Sequence, residues 1–404
     1  MAAEPADPRT FHRLYGLRRS RLAFQRNDFL DYVLMIALSA GAACACYGLT
    51  SIMAIGALAL CVLMLATFPL RHGVGLRVPV LLRRPQDVLY MLVYKVQNAK
   101  AMYFVAIGVL VAENAFIWVT PGLPHHVELM RRVALGLFYL HFVGITAYRT
   151  IILIDHLRKR VLVREVLQQT AWKHVIARSG NITVEIFHAY FTGLLAHMVL
   201  IAPWYFVITH VRYSILALPL ICLINAGTQL KFTQVINAWF YRDHWLGHNS
   251  ELEFVYLHGS HHDAIPCGLI GVAGNGYLEG FLRHVLGFPN PFYQPLTAFA
   301  FYTLEIKQDI ETHQYIPGVF PQLSREFQEI TQHSTHHFGR LEPYGFGIKL
   351  DHPAASPRLR EGFRRLPEQI RNSIGLDERL TGFEWDNPRH RAYLELVEKY
   401  QSRA

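Results

Sequence analysis

The chain reads as an all-α protein: a multi-pass transmembrane helical bundle with a cytosolic helical cap that carries clustered histidines. Three observations predict this fold class. Of 404 residues, 52% are hydrophobic and 17% charged, and the mean hydropathy is +0.18, which is too apolar for an ordinary soluble globule. Six stretches are apolar enough to cross a bilayer core, which takes about 20 helical residues for about 30 Å of hydrocarbon. Nine histidines of the second half, all lying outside those stretches, fall into three tight clusters and one singleton.

Taken in order, residues 1–31 form an Arg-rich cytosolic N-terminal segment. Residues 32–190 hold four predicted spans, at 32–50, 51–70, 101–120 and 133–154, the first two nearly continuous. A further stretch, 161–176, is apolar at helical spacing with Trp172 and Lys173 at its edge, which fits an interfacial helix and an ordinary cytosolic helix equally well. Residues 191–350 begin with a hairpin of spans, 191–209 and 213–230, separated by His210, Val211 and Arg212. Between 265 and 304 the apolar sequence is broken by Gly274, Gly276, Gly280, Pro289, Pro291 and Pro295, so helices at or just under the membrane surface are expected there. Residues 351–404 read as a polar, basic cytosolic tail.

Loop charge sets the expected orientation, because short cationic loops are retained in the cytoplasm. Arg9, Arg13, Arg18, Arg19, Arg21 and Arg26 precede the first span; Arg71, Arg77, Arg83, Arg84, Lys95 and Lys100 follow the second; Arg158, Lys159, Arg160, Arg164, Lys173 and Arg178 follow the fourth. The intervening loops carry only Arg131, Arg132 and Arg212. Both termini and all three clusters are therefore expected in the cytosol. This topology accounts for the net charge of +9 and argues against a nucleic-acid partner. The first apolar stretch is too long for a signal-peptide core, and no cleaved signal is expected. Arg outnumbers Lys strongly, which favours a bacterial plasma membrane over an endoplasmic reticulum.

Cys44, Cys46, Cys61 and Cys222 lie in predicted spans and Cys267 follows a proline; none has zinc-finger or redox spacing, and no disulfide framework is implied. The chain has no Gly-rich phosphate loop and no haem-attachment motif.

The clusters are His244 with His248, His258 with His261 and His262, and His333 with His336 and His337; His313 stands between the last two. Residues at i, i+3 and i+4 share one face of a helix, so each cluster forms a stripe of imidazoles. Ser250 with Glu253 has the pattern of a capping box and Pro266 would end that helix; Ser324 caps the third, with Gly339 and Pro343 beyond it. Imidazole suits iron, zinc, copper or nickel, and because one tetrahedral site takes four ligands, eight or nine convergent histidines argue for two metal ions. Asp309, one turn before His313, is either a further ligand or an acceptor for a ligand's ring N–H; Asp243, Asp263 and Glu329 are sequence-near candidates for the second role, with plain solvated surface carboxylates as the favoured reading for each. His284, His125, His126, His352 and His390 are read as non-ligands. Inside the spans, Glu113, Asn114, His141 and His197 are costly in lipid. Helix packing and the lining of a lipid channel are both open for them. Arg149, near the end of its span, is expected to snorkel.

Two His, then His-x-x-His-His twice, following paired spans, resembles the membrane-bound histidine-box di-iron oxygenases. The ten positions between His248 and His258 are similar to the compact arrangement of the fatty acid hydroxylase and sterol desaturase superfamily, and Pro343-Tyr344-Gly345 stands where many members have Asn-Tyr-Gly. The resemblance covers about 191–350. It implies His244, His248, His258, His261, His262, His333, His336 and His337 as ligands of two irons, with zinc possible in the purified protein. His313 matches the His that members carry between the second and third boxes, and Asp309 departs from members with a His one turn earlier. The resemblance further implies oxygen-dependent hydroxylation or desaturation of a lipid drawn from the bilayer. No electron-carrier motif occurs, so an external donor of cytochrome b5-like, ferredoxin-like or flavoprotein type is expected. The alternative is a non-redox zinc-binding membrane protein, either a hydrolase or a lipid-binding scaffold, although no His-Glu-x-x-His motif is present.

Overall fold

The computed structural model describes residues 29–72, 82, 85–119, 124–169, 181–212, 215, 219, 222–224, 227, 243–244, 247, 294–314, 316 and 318–321. No strand occurs among them. The helices are α1 (Phe29–Tyr47), α2 (Ile52–His72), α3 (Pro85–Val119), α4 (Pro124–Arg158), α5 (Arg160–Gln169), α6 (Ile182–His210) and α7 (Pro295–Thr312). Three segments are long and apolar enough to cross a membrane: Ile52–Leu70, His126–Arg158 and Ile182–His210; a shorter apolar helix covers Tyr32–Tyr47.

The break between α1 and α2 has a local cause. Gly48 takes φ +80, and its N–H donates to the Cys44 carbonyl at 3.0 Å, the left-handed stop that glycine permits. Ser51 then starts α2, its hydroxyl accepting from the Ala54 N–H at 3.1 Å. A Cβ at Gly48 would meet no atom within 4 Å, so Gly48→Ala should cost only the backbone strain, about 1–2 kcal/mol. A detergent melt separates this from a packing defect, since Gly48→Asn should recover part of the loss.

At 35 residues each, α3 and α4 run for about 52 Å at 1.5 Å per residue, well beyond a hydrocarbon core of about 30 Å. The predicted spans at 101–120 and 133–154 are thus the inner parts of longer helices. α6 likewise starts before the predicted span at 191, and before the domain boundary drawn there. Asn181 caps it, accepting from the Thr183 and Val184 N–H groups. The stretch 161–176 is described as far as Gln169, as α5, which packs against the core through Val163.

α6 is the centre of the bundle, packed against α1, α2 and α4. Side-chain pairs fix the directions. Thr67 of α2 meets His188 at 2.8 Å, and Gly56 lies against Met198, so α2 and α6 are antiparallel. Thr150 meets Tyr190 at 2.8 Å and His141 meets His197 at 2.9 Å, so α4 and α6 are antiparallel too. α7 instead runs parallel to α4. Thr303 stands beside His141 at 2.9 Å, Glu311 accepts from the Tyr148 hydroxyl at 3.0 Å, and past the helix end the Phe320 N–H donates to Asp155 at 2.8 Å. Lys159 ties off the same corner, donating to Asp155 at 2.9 Å and to the Gly318 carbonyl at 2.7 Å.

Of the stretch 265–304, residues 294–304 are described; α7 packs along α4 from Thr303 beside His141 onward, and Tyr302 stacks on the flat face of Trp204 of α6 at 5.0 Å and 10°. Of the second arm of the predicted hairpin, 213–230, only 215, 219, 222–224 and 227 are described, and 1–28, 265–293 and 351–404 lie outside the described residues.

Candidate metal centre

Two of the nine predicted metal-ligating histidines fall within the described residues. His244 is buried, as are its neighbours Asp243 and Gly247. His313 is buried at the C-terminal end of α7. His248, His258, His261, His262, His333, His336 and His337 lie outside the described residues, together with Cys267, Asp263, Glu329 and the caps proposed at Ser250, Glu253 and Ser324. Among the described residues, no three His, Cys, Asp or Glu side chains converge as a metal site.

The geometry at His313 suits a ligand. Its Nδ1 sits 2.7 Å from the Asp309 carbonyl oxygen and 3.3 Å from the Asp309 carboxylate Oδ1. With the carbonyl accepting on that side, Nδ1 carries the proton, the tautomer that suits metal binding through Nε2. Helix geometry produces this contact, since a residue and the one four positions on share a face. His313 also closes α7, its backbone N–H donating to the Asp309 carbonyl at 3.2 Å.

Asp309 is buried, and it acts electrostatically on Glu305 and on Arg149. Burial pushes the Glu305 carboxyl up to about 8, with the Asp309 charge adding to the effect, so Glu305 is protonated at neutral pH. The unfolded chain would lose that proton near its ordinary value of 4.5. The folded state therefore holds a proton that the unfolded state lacks, and stability falls as pH rises between those values. Glu305→Gln should remove this decline. Melting wild type and variant from pH 5 to pH 9 checks it, the variant gaining on wild type as pH rises.

Arg149 corrects another expectation. It is 3% exposed and does not snorkel, because it lies on the face of α4 that α6 and α7 cover. His141 and His197, left open between helix packing and channel lining, hydrogen-bond to each other between α4 and α6. The His197 Nδ1 has no hydrogen-bond partner and is sealed from solvent. A buried bare acceptor costs less than a buried bare donor, so the proton between the rings belongs to His197, and His141 donates from Nδ1 to Thr303. Asn114 is satisfied within its own helix, donating to the Leu110 carbonyl at 2.9 Å. Glu113 is in α3, where its side chain is not described.

Four polar contributors escaped the sequence reading: Thr303, Glu305, Tyr148 and His156. His156 is buried, with Nδ1 on the Ile152 carbonyl at 2.8 Å. The signal was present in α4, where His141, Tyr148, Arg149 and His156 recur seven or eight residues apart on one helical stripe.

Comparison with family models, with curated proteins and with solved structures finds no match.

Proposed function

We propose that the protein is an oxygen-dependent di-iron oxidoreductase that hydroxylates or desaturates a membrane lipid, such as a sterol, fatty acyl chain or sphingolipid. The observation that carries this reading is the set of three histidine clusters at helical spacing with His313 between them. The buried His313, with Nδ1 engaged and Nε2 in the ligand tautomer, supports it. When bound, two irons would supply the one-electron oxygen chemistry needed to attack an unactivated C–H bond, which no acid or base can do. His244, His248, His258, His261, His262, His313, His333, His336 and His337 would hold them.

The chain's own residues do the rest. The apolar α2, α4 and α6 anchor the protein in the bilayer from which the lipid comes, with the site on the cytoplasmic face of a multi-pass membrane protein, a bacterial plasma membrane being favoured. Electrons come from an external cytochrome b5-like, ferredoxin-like or flavoprotein donor. Its docking surface includes Arg358, Arg360, Arg364 and Arg365 of the tail. Neutralising these four should slow turnover with the native donor and flatten its salt dependence; unchanged, salt-independent turnover would remove the docking role.

The test is metal content together with redox response. Protein purified in detergent should carry two irons per chain and consume oxygen on addition of reductant and lipid. Stoichiometric zinc with no redox response even after iron reconstitution would favour a zinc-binding hydrolase or scaffold. Lipid profiles of a deletion strain identify the substrate, through accumulation of a species lighter by one oxygen or heavier by two hydrogens.

A further inference from the structure

Arg149 is a cation inside the apolar segment His126–Arg158 and is 3% exposed. Burying an uncompensated guanidinium is costly, so it requires a counter-charge. Three carboxyls of α7 come near this part of α4. Glu311 is engaged elsewhere, accepting from the Tyr148 hydroxyl at 3.0 Å and pairing with Lys307 on its own helix. Glu305 keeps its proton at neutral pH and so brings no charge. Asp309 remains, and it interacts electrostatically with Arg149.

The same Asp309 faces His313. Its backbone carbonyl lies 2.7 Å from the His313 Nδ1 and its carboxylate Oδ1 lies 3.3 Å from the same atom. The carbonyl accepts the hydrogen bond and the carboxylate charge stands beside the same ring nitrogen, which leaves the opposite nitrogen for a ligand.

We propose that Asp309 is a positioning residue and not an iron ligand: its backbone carbonyl accepts the His313 Nδ1–H, and its carboxylate, 3.3 Å from the same nitrogen and with buried Arg149 as counter-charge, keeps the proton on Nδ1 and so presents Nε2 as the ligating nitrogen. The assignment rests on the di-iron reading of the histidine clusters. It resolves the place where this chain departs from the oxygenase pattern, since the Asp one turn before His313 orients a ligand rather than replacing one. It also gives Arg149, 160 positions earlier in the chain than Asp309, an indirect hold on the metal.

The experiment uses the full-length protein in detergent, loaded with iron or with cobalt(II), and reads three quantities: metal per chain at saturation, affinity by chelator competition, and the visible spectrum of the cobalt form. Wild type should load two metals and His313→Ala one fewer. Asp309→Asn, which keeps the shape and the carbonyl contact but loses the charge, should still load two, with affinity weakened about 10-fold, the low end of the effect of losing a group that orients a ligand, and with shifted cobalt bands. Arg149→Gln should weaken affinity in the same direction, whereas Arg149→Lys, which retains the cation and guards against misfolding of the first variant, should stay within a few-fold of wild type. Loss of one metal in Asp309→Asn, matching His313→Ala, would make Asp309 a ligand and overturn the proposal. Unchanged affinity and spectrum in both Asp309→Asn and Arg149→Gln would overturn it as well. A wild type that binds neither iron nor cobalt would overturn the di-iron reading first and this assignment with it, a result distinct from the other two.

Discussion

Replacing His244 with alanine is expected to abolish lipid oxidation, by a factor on the order of 1,000 or more, while the helices stay folded. The expectation follows from comparing two kinds of buried imidazole. A group that only orients a ligand changes affinity or activity about 10- to 100-fold when removed, and a ligand should cost considerably more. His197 provides the contrast. It is as buried as His244, yet its Nε2 is occupied by His141, so His197→Ala should lower thermal stability and leave metal stoichiometry intact. Metal analysis and circular dichroism on both variants check this. A His244→Ala protein that retains its full metal complement and its turnover would remove this residue from the ligand set.

The largest structural effect should come from Trp204→Ala. Trp204 is fully buried in α6, stacked on Tyr302 of α7 at 5.0 Å and edge-on to Phe138 of α4 at 5.2 Å. Removing a core indole leaves a cavity bounded by three helices, and such truncations cost about 3–5 kcal/mol. In a bilayer the loss is chiefly of packing contacts rather than of hydrophobic transfer, because lipid is as apolar as the core. Trp204→Phe should recover much of it, helped by removal of an indole N–H that has no hydrogen-bond partner. Unfolding in mixed micelles measures both. A loss below about 1 kcal/mol for the alanine variant would show that α7 is held by its polar contacts rather than by this stack.

The helical class was legible in the sequence because apolar runs of bilayer length have few other solutions. Helix ends were less so. α4 and α6 extend past the spans predicted at 133–154 and 191–209 on residues such as Glu128, Arg132 and Glu185, which satisfy a helix without raising its hydropathy. The Glu128–Arg132 pair at 3.2 Å shows how a solvated turn supports itself. The candidate ligands rest on spacing alone. What spacing does not encode is the partner across the bundle: nothing near Arg149 in the chain announces Asp309, 160 positions on. The snorkelling expectation failed for that reason, since it considered the depth of Arg149 and not what packs over it. α7 is intermediate in composition between a span and a surface helix, and its register on α4 is set by partners far away in the chain, Trp204 for Tyr302 and His141 for Thr303.

The parallel packing of α7 on α4 also sets an order of assembly. Thr303 is 162 positions from His141, and Gln294 lies 84 positions after the last residue of α6, His210. At about 5–20 residues per second, a ribosome takes roughly 4–17 s to make that stretch. During this interval α4 and α6 are already synthesised, with His141 lacking Thr303, Trp204 lacking Tyr302 and Arg149 lacking Asp309. The half-built bundle thus presents a polar stripe to lipid for far longer than helices need to associate. Nascent chains stalled before Gln294 should therefore be captured by membrane insertion factors, and release should coincide with the emergence of the helix that carries the His313 arm of the site.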